Sequence, residues 1–392
     1  MPTKLRIGVL TGGGDVPGLN QCIKAFTTKA IEAGHEVVGF RRGWRGLSHV
    51  QPSDPASRET WTLPLTRARV RTVDRYGGTF LHTSRTNPAK MKSKDLPDHL
   101  RPSGAPGAAG SDDARVDVTP TILSNLAALE IDALMVIGGD DTLSYAGRLH
   151  REGFPTVAVP KTMDNDVMGT DYCIGFSTAV TRSVNFITDL RTPAGSHERF
   201  MVVELFGRYS GETALLTGYL AGADRVVISE VPCDVARLTE LLASDKANSP
   251  SHYAVLVVSE GARLEGGDMA LSGETDAYGH RKLGGIGDVL GFELKRRTGD
   301  NVMVQRLAYL MRAGAPDSLD RLVAYSFGSL AFDLIATGEH GRMVAIQQGR
   351  YTAVPVEIAT TGRRQVDVSE LYNSQEYLPK IRDVRGKPMF LY

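Results

Sequence analysis

Two loop sequences hold the side chains best suited to phosphate chemistry. The first loop, residues 138–142, places Asp140 and Asp141 directly after two glycines. The second, residues 160–167, contains Lys161 and two more carboxylates. Each loop follows an apolar run of strand length, so we expect four acids and one cation to meet at the ends of two neighbouring strands. Such a point suits a divalent metal ion and a phosphate chain.

The adjacent acids Asp140 and Asp141 have two interpretations. Consecutive carboxylates at a strand end are unfavourable unless water or a cation balances them. One of them is predicted to ligate Mg²⁺, usually through water. Alternatively, Asp141 is the N-cap of a helix that begins at Thr142.

Asp164 and Asp166 are two residues apart in an irregular stretch. In an extended chain such residues face the same way, so a general base and a metal-associated acid could share one cleft. Thr162 can hydrogen-bond a phosphate oxygen and Lys161 can neutralise it. The alternative is a polar turn without a catalytic role.

Other candidate residues also lie next to predicted strands or supply cations. The glycines at 12–14 would let the backbone approach a phosphate, although glycines in such turns are also used only for tight packing. Cations here would suit a sugar phosphate, because a guanidinium binds phosphate through two hydrogen bonds. These further candidates are Arg199, Phe206, Gly207, Arg208, Glu260 and Arg312.

The elements that position these loops repeat a strand, loop, helix order. A buried strand at 5–11, a glycine loop, a helix from residue 19 and a strand at 36–40 open the chain like a doubly wound domain. Further strands are predicted at 133–137, 156–159, 199–205, 225–228, 253–258 and 343–346. Helices are predicted at 119–130 (with Thr119 as its cap), 142–151, 177–190, 212–220, 234–242 and 319–337. The sequence therefore predicts an α/β protein with two Rossmann-like three-layer α/β/α domains, largely parallel sheets and an active site between them.

In three stretches the apolar residues show neither helical nor strand spacing. Residues 41–75 read as irregular and basic, residues 88–115 as a surface insertion, and residues 265–284 as a polar loop. We expect a larger domain of residues 1–175 plus 312–360 and a smaller one of residues 176–311 plus 361–392.

Composition excludes several classes of protein. The 392 residues contain 45 Lys and Arg and 45 Asp and Glu, so no net charge favours nucleic acid or a membrane surface. The three cysteines show no paired spacing and the nine histidines no metal-binding pattern. Neither a signal peptide nor a membrane span is visible. We expect a cytoplasmic protein.

The motifs, in order, resemble the bacterial type of 6-phosphofructokinase over residues 4–359. The resemblance rests on the sequences at 12–14, 138–142, 160–166, 206–211, 259–261 and 309–312. It implies Mg²⁺-dependent phosphorylation of the C1 hydroxyl of fructose 6-phosphate, a step of glycolysis and gluconeogenesis. It also implies that the larger domain binds the phosphoryl donor and Mg²⁺ and that the smaller domain binds the sugar phosphate.

The resemblance also implies a role for each candidate residue. Asp164 would be the general base, Asp140 would hold Mg²⁺ and Asp166 would lie near it. Thr162 and Arg208 would contact the transferring phosphoryl group, and Gly12 would cradle the donor. The sugar phosphate would be bound by Thr162, Asp164, Phe206, Gly207, Arg208, Glu260, Tyr309 and Arg312. Arg199 would reach it from a neighbouring subunit, which implies a homodimer or homotetramer with shared active sites.

Asp141 decides between two donors. ATP-using members of the family usually carry Gly at this position, and an ionised Asp adds bulk and repels an α-phosphate. Pyrophosphate-using members resemble this sequence in carrying both acids, and Lys161 agrees with either donor. Pyrophosphate is therefore the predicted donor, with ATP as the alternative.

Two departures from the family pattern leave the sugar open. Tyr309 stands where many members have His, and Met303 where many have a partner-subunit Arg; Arg306 is near but does not align. Sedoheptulose 7-phosphate is an alternative substrate. A catalytically silent subunit is disfavoured by the intact acids, and a lipid or dinucleotide kinase by the loops at 160–166 and 206–211.

Overall fold

The computed structural model of the protein describes residues 4–101, 114–266, 271–275, 281–283, 285–381 and 384–386. Within the predicted surface insertion at 88–115, residues 102–113 lie outside this set. Parts of the predicted loop at 265–284 and of the predicted segment 361–392 lie outside it as well.

The strands of the described chain follow one another in this order: β1 (Arg6–Thr11), β2 (Glu36–Phe40), β3 (Thr62–Leu65), β4 (Met91–Lys92), β5 (Arg115–Val116), β6 (Ala133–Gly138), β7 (Thr156–Pro160), β8 (Phe200–Leu205), β9 (Arg225–Val227), β10 (Ala254–Ser259), β11 (Leu271–Thr275), β12 (Arg281–Leu283), β13 (Val302–Arg306), β14 (Arg342–Gln347), β15 (Arg350–Pro355), β16 (Tyr372–Asn373) and β17 (Leu378–Pro379).

The helices are α1 (Leu19–Glu32), α2 (Trp44–His49), α3 (Pro55–Trp61), α4 (Arg67–Val70), α5 (Thr119–Ala128), α6 (Asp140–Arg151), α7 (Phe176–Ser196), α8 (Glu212–Ala221), α9 (Val235–Asn248), α10 (Ile286–Thr298), α11 (Ser318–Ala336) and α12 (Val368–Leu371). Short 3₁₀ turns lie between several of them, including Ala308–Arg312 and Val356–Thr360. Across the residues described, no helix combines the length and apolar character needed to cross a membrane.

The larger sheet has seven strands in the order β15-β14-β7-β6-β1-β2-β3. Its five inner strands are parallel, and β15 and β3 are antiparallel edges. Side chains of β6 alternate between two cores, because successive residues of a strand face opposite sides. Met135 and Ile137 face the core that holds α1 and α11, and Leu134 and Val136 face the core of α2, α5 and α6.

The smaller sheet has four parallel strands in the order β13-β8-β10-β9. Helices α7 and α8 pack against each other and on this sheet, as do α9 and α10. Helices therefore cover both faces of two largely parallel sheets, and the predicted fold class is confirmed. The division of the chain at residues 175, 311 and 360 stays a prediction.

The weakly periodic stretches are more regular than predicted. Residues 41–75 form α2, α3, β3 and α4, so the prediction of an irregular segment is wrong. In the stretch 88–115, Met91 and Leu96 are buried against Val118, so its described part packs on the body of the protein. The predicted loop at 265–284 contains the hairpin of β11 and β12. Elements this short leave too few periodic positions to be read.

The first turn of α5 also differs from the prediction. Thr119 is the first helical residue rather than the cap, and its N–H donates to Asp117 Oδ1 at 3.0 Å. The side chain of Asp117 also accepts the Thr119 hydroxyl at 2.6 Å. The Asp117 carboxylate, two residues before the helix, therefore accepts the free N–H group at the helix start, which the Thr-Pro pair indicates in the sequence.

Asp320 ties the two layers of helices together. This fully buried residue of α11 accepts hydrogen bonds from Tyr172 Oη at 2.6 Å, from the N–H of Gly175 at 2.8 Å, and from the N–H and Oγ1 of Thr178 at 2.8 and 2.5 Å. Because α11 packs on α1 and α7 packs on α8, this carboxylate links the helices of the larger sheet to those of the smaller one.

Replacement of Asp320 should be costly. Asp320→Asn turns an amide NH₂ toward groups that are all donors, and we expect a loss of about 2 kcal/mol or more in the free energy of unfolding by urea. Asp333→Asn on the same helix breaks an exposed pair with Lys29 and should cost about 1 kcal/mol or less. Equal losses for the two variants would contradict the assigned role of Asp320.

Candidate active site

The loop after β7 keeps the period of an extended chain. Lys161, Val167 and the odd-numbered residues between them are buried, whereas Thr162, Asp164 and Asp166 are only partly buried. The three side chains proposed for chemistry therefore share one side of the loop, and their neighbours anchor its other side.

Asn165 holds this loop in an unusual conformation. Its φ of 55° lies in the left-handed region, which Asn tolerates better than most residues. Its buried amide donates to the carbonyl of Asp171 at 3.1 Å and to the Glu212 carboxylate at 3.2 and 3.3 Å. Its Oδ1 accepts the N–H of Cys173 at 2.8 Å. The amide is thus satisfied at both ends.

Arg364 completes the anchor beneath the loop. It donates to Glu212 Oε2 at 2.8 Å and to the carbonyls of Asn165 and Asp171 at 3.1 and 3.0 Å. The backbone N–H of Arg364 donates to the carbonyl of Asp166 at 2.9 Å. The Arg364 and Glu212 side chains are nearly buried, at 11% and 5% exposure, so removing either one would leave a buried charge unpaired.

Asp164 lies in an acidic environment. Burial, together with the nearby charge of Glu260, raises the pKa of Asp164 above its ordinary value, while the backbone N–H and the guanidinium of Arg208 oppose that rise. Burial raises the pKa of Glu260 itself to about 7, again opposed by Arg208. A carboxylate whose pKa is raised toward neutral pH is suited to general-base chemistry.

Asp166 is perturbed in the same direction. Burial and the charges of Asp164 and Asp140 raise its pKa, and Arg363 lowers it. The charge of Asp140 thus contributes to the raised pKa of both Asp164 and Asp166. A cluster of like charges of this kind favours a bound cation.

Asp140 and Asp141 lie inside α6 rather than before it. The helix begins at Asp140 with Gly139 as its cap, and Asp140 Oδ1 accepts the N–H of Asp141 at 2.9 Å. The prediction of a helix start at Thr142 with Asp141 as its cap is therefore wrong. Both acids occupy the first turn, where the helix dipole favours negative charge.

Arg363 pairs with Asp140 at the mouth of the cleft. Its Nη2 and Nε lie 3.1 and 3.2 Å from Asp140 Oδ2, and its guanidinium lies 3.8 Å from the centre of the Tyr209 ring. Asp141, Ser144 and Gln365 line the same cleft. About a third of each paired side chain is exposed, so the ion pair contributes about 1 kcal/mol or less and is readily exchanged.

The residues around Asp140 fit a Mg²⁺ site that is completed by a substrate. Among the residues described, no three His, Cys, Asp or Glu side chains form a cluster that could hold a metal by themselves. Mg²⁺ in phosphoryl-transfer enzymes is often held by one or two carboxylates, substrate phosphates and water. Asp140, with Asp166 close enough to feel its charge, matches that donor set.

The glycine loop packs closely against α6. The N–H of Gly12 donates to the carbonyl of Ile137 and that of Gly13 to the carbonyl of Ser84, at 2.9 and 3.0 Å. A Cβ on Gly12 would lie 2.6 Å from Thr142 Oγ1. These two N–H groups are already used, so the predicted donor-binding role of Gly12 depends on close backbone approach instead.

Lys161 crosses from the β7 loop to the glycine loop. Its ammonium donates to the carbonyl of Gly14 at 2.6 Å. Burial, and then the charge of Arg312, lowers its pKa to about 8. A largely desolvated cation beside a glycine loop is well suited to an anionic ligand.

The ends of β8 and β10 bring the proposed sugar-binding residues together. Because these strands are parallel neighbours, Phe206-Gly207-Arg208 and Glu260 emerge at the same edge of the sheet. The carbonyl of Gly207 accepts the hydroxyls of Ser229 and Ser259 at 2.7 and 2.6 Å. This loop is thus fixed to its neighbours in the sheet.

Arg312 links the sugar side to the glycine loop. Its guanidinium lies 4.7 Å from the Tyr309 ring centre and 5.9 Å from that of Phe206, and it pairs with Asp15 at 3.6 Å. Tyr309 itself is 65% exposed. The three predicted residues form one cluster at the cleft edge.

Arg199 lies far from this cluster in the same chain. It precedes β8, whereas Phe206 follows it, and six residues of strand separate them by about 20 Å. Its predicted contact with a neighbouring subunit's cleft stays a prediction. Arg306, the last residue of β13, pairs with Asp288, and Met303 lies within the same strand.

Sequence reasoning missed Glu212, Tyr209, Arg363 and Arg364. Glu212 was read only as the start of a helix, and Arg363 and Arg364 lie 223 and 199 residues along the chain from Asp140 and Asn165, to which they donate hydrogen bonds. The available signal was the pair Arg363-Arg364 after Gly362 in an otherwise irregular segment. A buried acid such as Glu212 requires a cation, but sequence does not show which cation meets it.

Known proteins are similar to this chain over most of its length. The phosphofructokinase family model matches residues 6–335. The pyrophosphate–fructose 6-phosphate 1-phosphotransferase of Streptomyces coelicolor is 40% identical over 93% of this chain and 96% of its own. The ATP-dependent 6-phosphofructokinase 3 of the same organism is 37% identical over 88% and 91%.

Solved structures agree on the fold. The pyrophosphate-dependent phosphofructokinase of Nitrosospira multiformis superposes with a TM-score of 0.73 at 16% identity, covering 98% of this chain and 95% of that one. Saccharomyces cerevisiae phosphofructokinase gives 0.73 at 23% identity, covering 91% and 45%.

Two replacements of Asn165 should separate its backbone from its side chain. Asn165→Ala loses every amide hydrogen bond and keeps a strained φ, and we expect about 2 kcal/mol less free energy of unfolding by urea. Asn165→Gly loses the same hydrogen bonds without the strain, and should recover about 1 kcal/mol of that loss. A Gly variant less stable than the Ala variant would show that the left-handed conformation is not under strain.

Proposed function

The chain belongs to the phosphofructokinase family, and we propose that it catalyses the reversible, Mg²⁺-dependent transfer of a phosphoryl group from pyrophosphate to the C1 hydroxyl of fructose 6-phosphate. Asp141 carries the choice of donor. It lies in the first turn of α6, beside Asp140, and lines the donor side of the cleft. A carboxylate there fills and charges space that a nucleotide's α-phosphate needs.

Overall similarity does not decide the donor. Relatives named for pyrophosphate are 36–40% identical, and relatives named for ATP are 35–37% identical. ATP therefore remains the second candidate, supported by that similarity. The local chemistry at Asp141 is what favours pyrophosphate.

The proposed mechanism is in-line phosphoryl transfer. Asp164 takes the proton of the C1 hydroxyl, and Thr162 and Arg208 contact the transferring group. Mg²⁺ at Asp140 supplies charge neutralisation on the phosphoryl oxygens when bound. Asp164 returns the proton to the sugar oxygen in the reverse direction, so its raised pKa serves both directions.

Substrate binding is divided between the two sheets. The loops of the larger sheet, with Gly12, Lys161 and Asp141, bind the donor. The loops of the smaller sheet bind the sugar phosphate through Glu260 and Arg312. Arg199 of a second copy completes the sugar site, so we propose a homodimer or homotetramer, with Mg²⁺ as cofactor.

A donor comparison tests the proposal together with two Asp141 variants. The wild-type protein should turn over with pyrophosphate and not with ATP in coupled assays. Asp141→Gly removes both volume and charge, and should tighten Mg-ATP binding at least about 10-fold by calorimetry, equal to about 1.4 kcal/mol. Asp141→Asn keeps the side-chain volume, so its Mg-ATP affinity should rise only by the part of the gain that comes from removing the charge.

Two results would each contradict a different part of the proposal. Wild-type turnover with ATP and none with pyrophosphate would overturn the proposed donor. Undetectable ATP binding by Asp141→Gly would show that Asp141 is not the main cause of exclusion.

Replacement of Asp164 tests the proposed base. Asp164→Asn preserves size but cannot accept the proton, and we expect turnover to fall about 10³-fold or more. Affinity for fructose 6-phosphate, measured by calorimetry, should stay within about threefold, because the amide keeps its hydrogen-bonding capacity. Turnover close to wild type would refute the assigned base.

A further inference from the structure

We propose that Arg363 binds the phosphate of the donor that is not transferred, and that the segment 359–367 is the outer wall of the donor site. This rests on the proposed function and adds a specificity residue to it. The guanidinium lies at the cleft that Asp140, Asp141 and Tyr209 line, and the segment supplies Thr360 and Gly362 to the same surface.

The charges of the cleft require such a cation. Asp140 and Asp141 face it from α6, and Asp166 is close enough for Arg363 to lower its pKa. Pyrophosphate brings several negative charges to these carboxylates, and one metal ion balances only part of the sum. Lys161 is directed at the carbonyl of Gly14, on the glycine-loop side.

The position of Arg363 is fixed by its backbone and its ring contact. Arg363 forms an antiparallel bridge with Val167, the residue after Asp166. Its guanidinium lies over the Tyr209 ring at 3.8 Å. A planar guanidinium held in this way offers two parallel N–H groups to a phosphate without a large loss of side-chain freedom.

The contact with Asp140 is compatible with this role. The pair remains about a third exposed, so the guanidinium is not committed to a buried partner. Once Asp140 ligates a metal ion, its charge no longer requires Arg363. The same side chain can then turn its donors to the phosphate that the metal brings with it.

A nucleotide would not gain equally from this arrangement. A guanidinium recognises the doubly ionised terminal phosphate of pyrophosphate well, because that group presents free oxygens to both N–H donors. In ATP the corresponding β-phosphate is joined by anhydride oxygens to two other phosphates and so presents fewer free oxygens, and Asp141 stands where the α-phosphate would lie. Arg363 and Asp141 therefore both favour pyrophosphate over ATP as the donor.

Arg363→Gln tests the proposal by binding alone. Calorimetry with Mg-pyrophosphate, in the absence of sugar, should show an affinity at least about 10-fold weaker than wild type. The fructose 6-phosphate affinity should stay within about twofold. Arg350→Gln, an exposed arginine of β15, is the matched control and should bind pyrophosphate like wild type.

Arg363→Lys keeps the charge without the planar fork and should bind with intermediate affinity. Pyrophosphate affinity within twofold of wild type in Arg363→Gln overturns the proposal for Arg363. If the wild-type protein itself binds and uses ATP but not pyrophosphate, the proposed function fails first, and the two failures are thereby distinguished.

Discussion

The buried contacts between Asn165, Glu212 and Arg364 are the constraint on which the site depends. They join the loop after β7 of the larger sheet to α8 on the smaller sheet and to the C-terminal segment. Asn165 lies between Asp164 and Asp166 in a left-handed conformation, and it is buried whereas its two neighbours are only partly buried. A buried ion pair of this kind adds little net stability, yet breaking it is costly. Its role here is to position Asp164 and Asp166, because acids with the role proposed for them must be held within a fraction of an ångström.

The second feature of the site is its balance of charge. Burial, and then the charge of neighbouring carboxylates, raises the pKa of Asp164 and of Asp166. Cations from other parts of the chain oppose the rise, Arg208 for Asp164 and Arg363 for Asp166. We propose that a metal ion and a phosphate complete this site. Binding and charge neutralisation are therefore coupled, which suits a reaction whose catalysis is largely positioning and electrostatic stabilisation.

Sequence reasoning reached the fold because the strands that carry the site are apolar and regular, and because glycines follow β1, β6 and β8. It placed β2 at 36–40 as observed and found the loops after β6 and β7. It did not find α2, α3 and α4, which are too short to show a period, and it began α6 two residues late because consecutive acids read as a cap. Glu212 and Arg364 were missed for another reason. Their partnership spans about 150 residues, and a long-range pair has no local signature.

A crystal structure of Asp164→Asn with fructose 6-phosphate, Mg²⁺ and pyrophosphate tests the account most directly. The account predicts the C1 hydroxyl within hydrogen-bonding distance of the residue 164 side chain, and the near phosphate of the donor in line with it. It also predicts Mg²⁺ at Asp140. A sugar phosphate bound with its C1 hydroxyl directed away from residue 164, or a donor bound outside the cleft lined by Asp140 and Asp141, would contradict it.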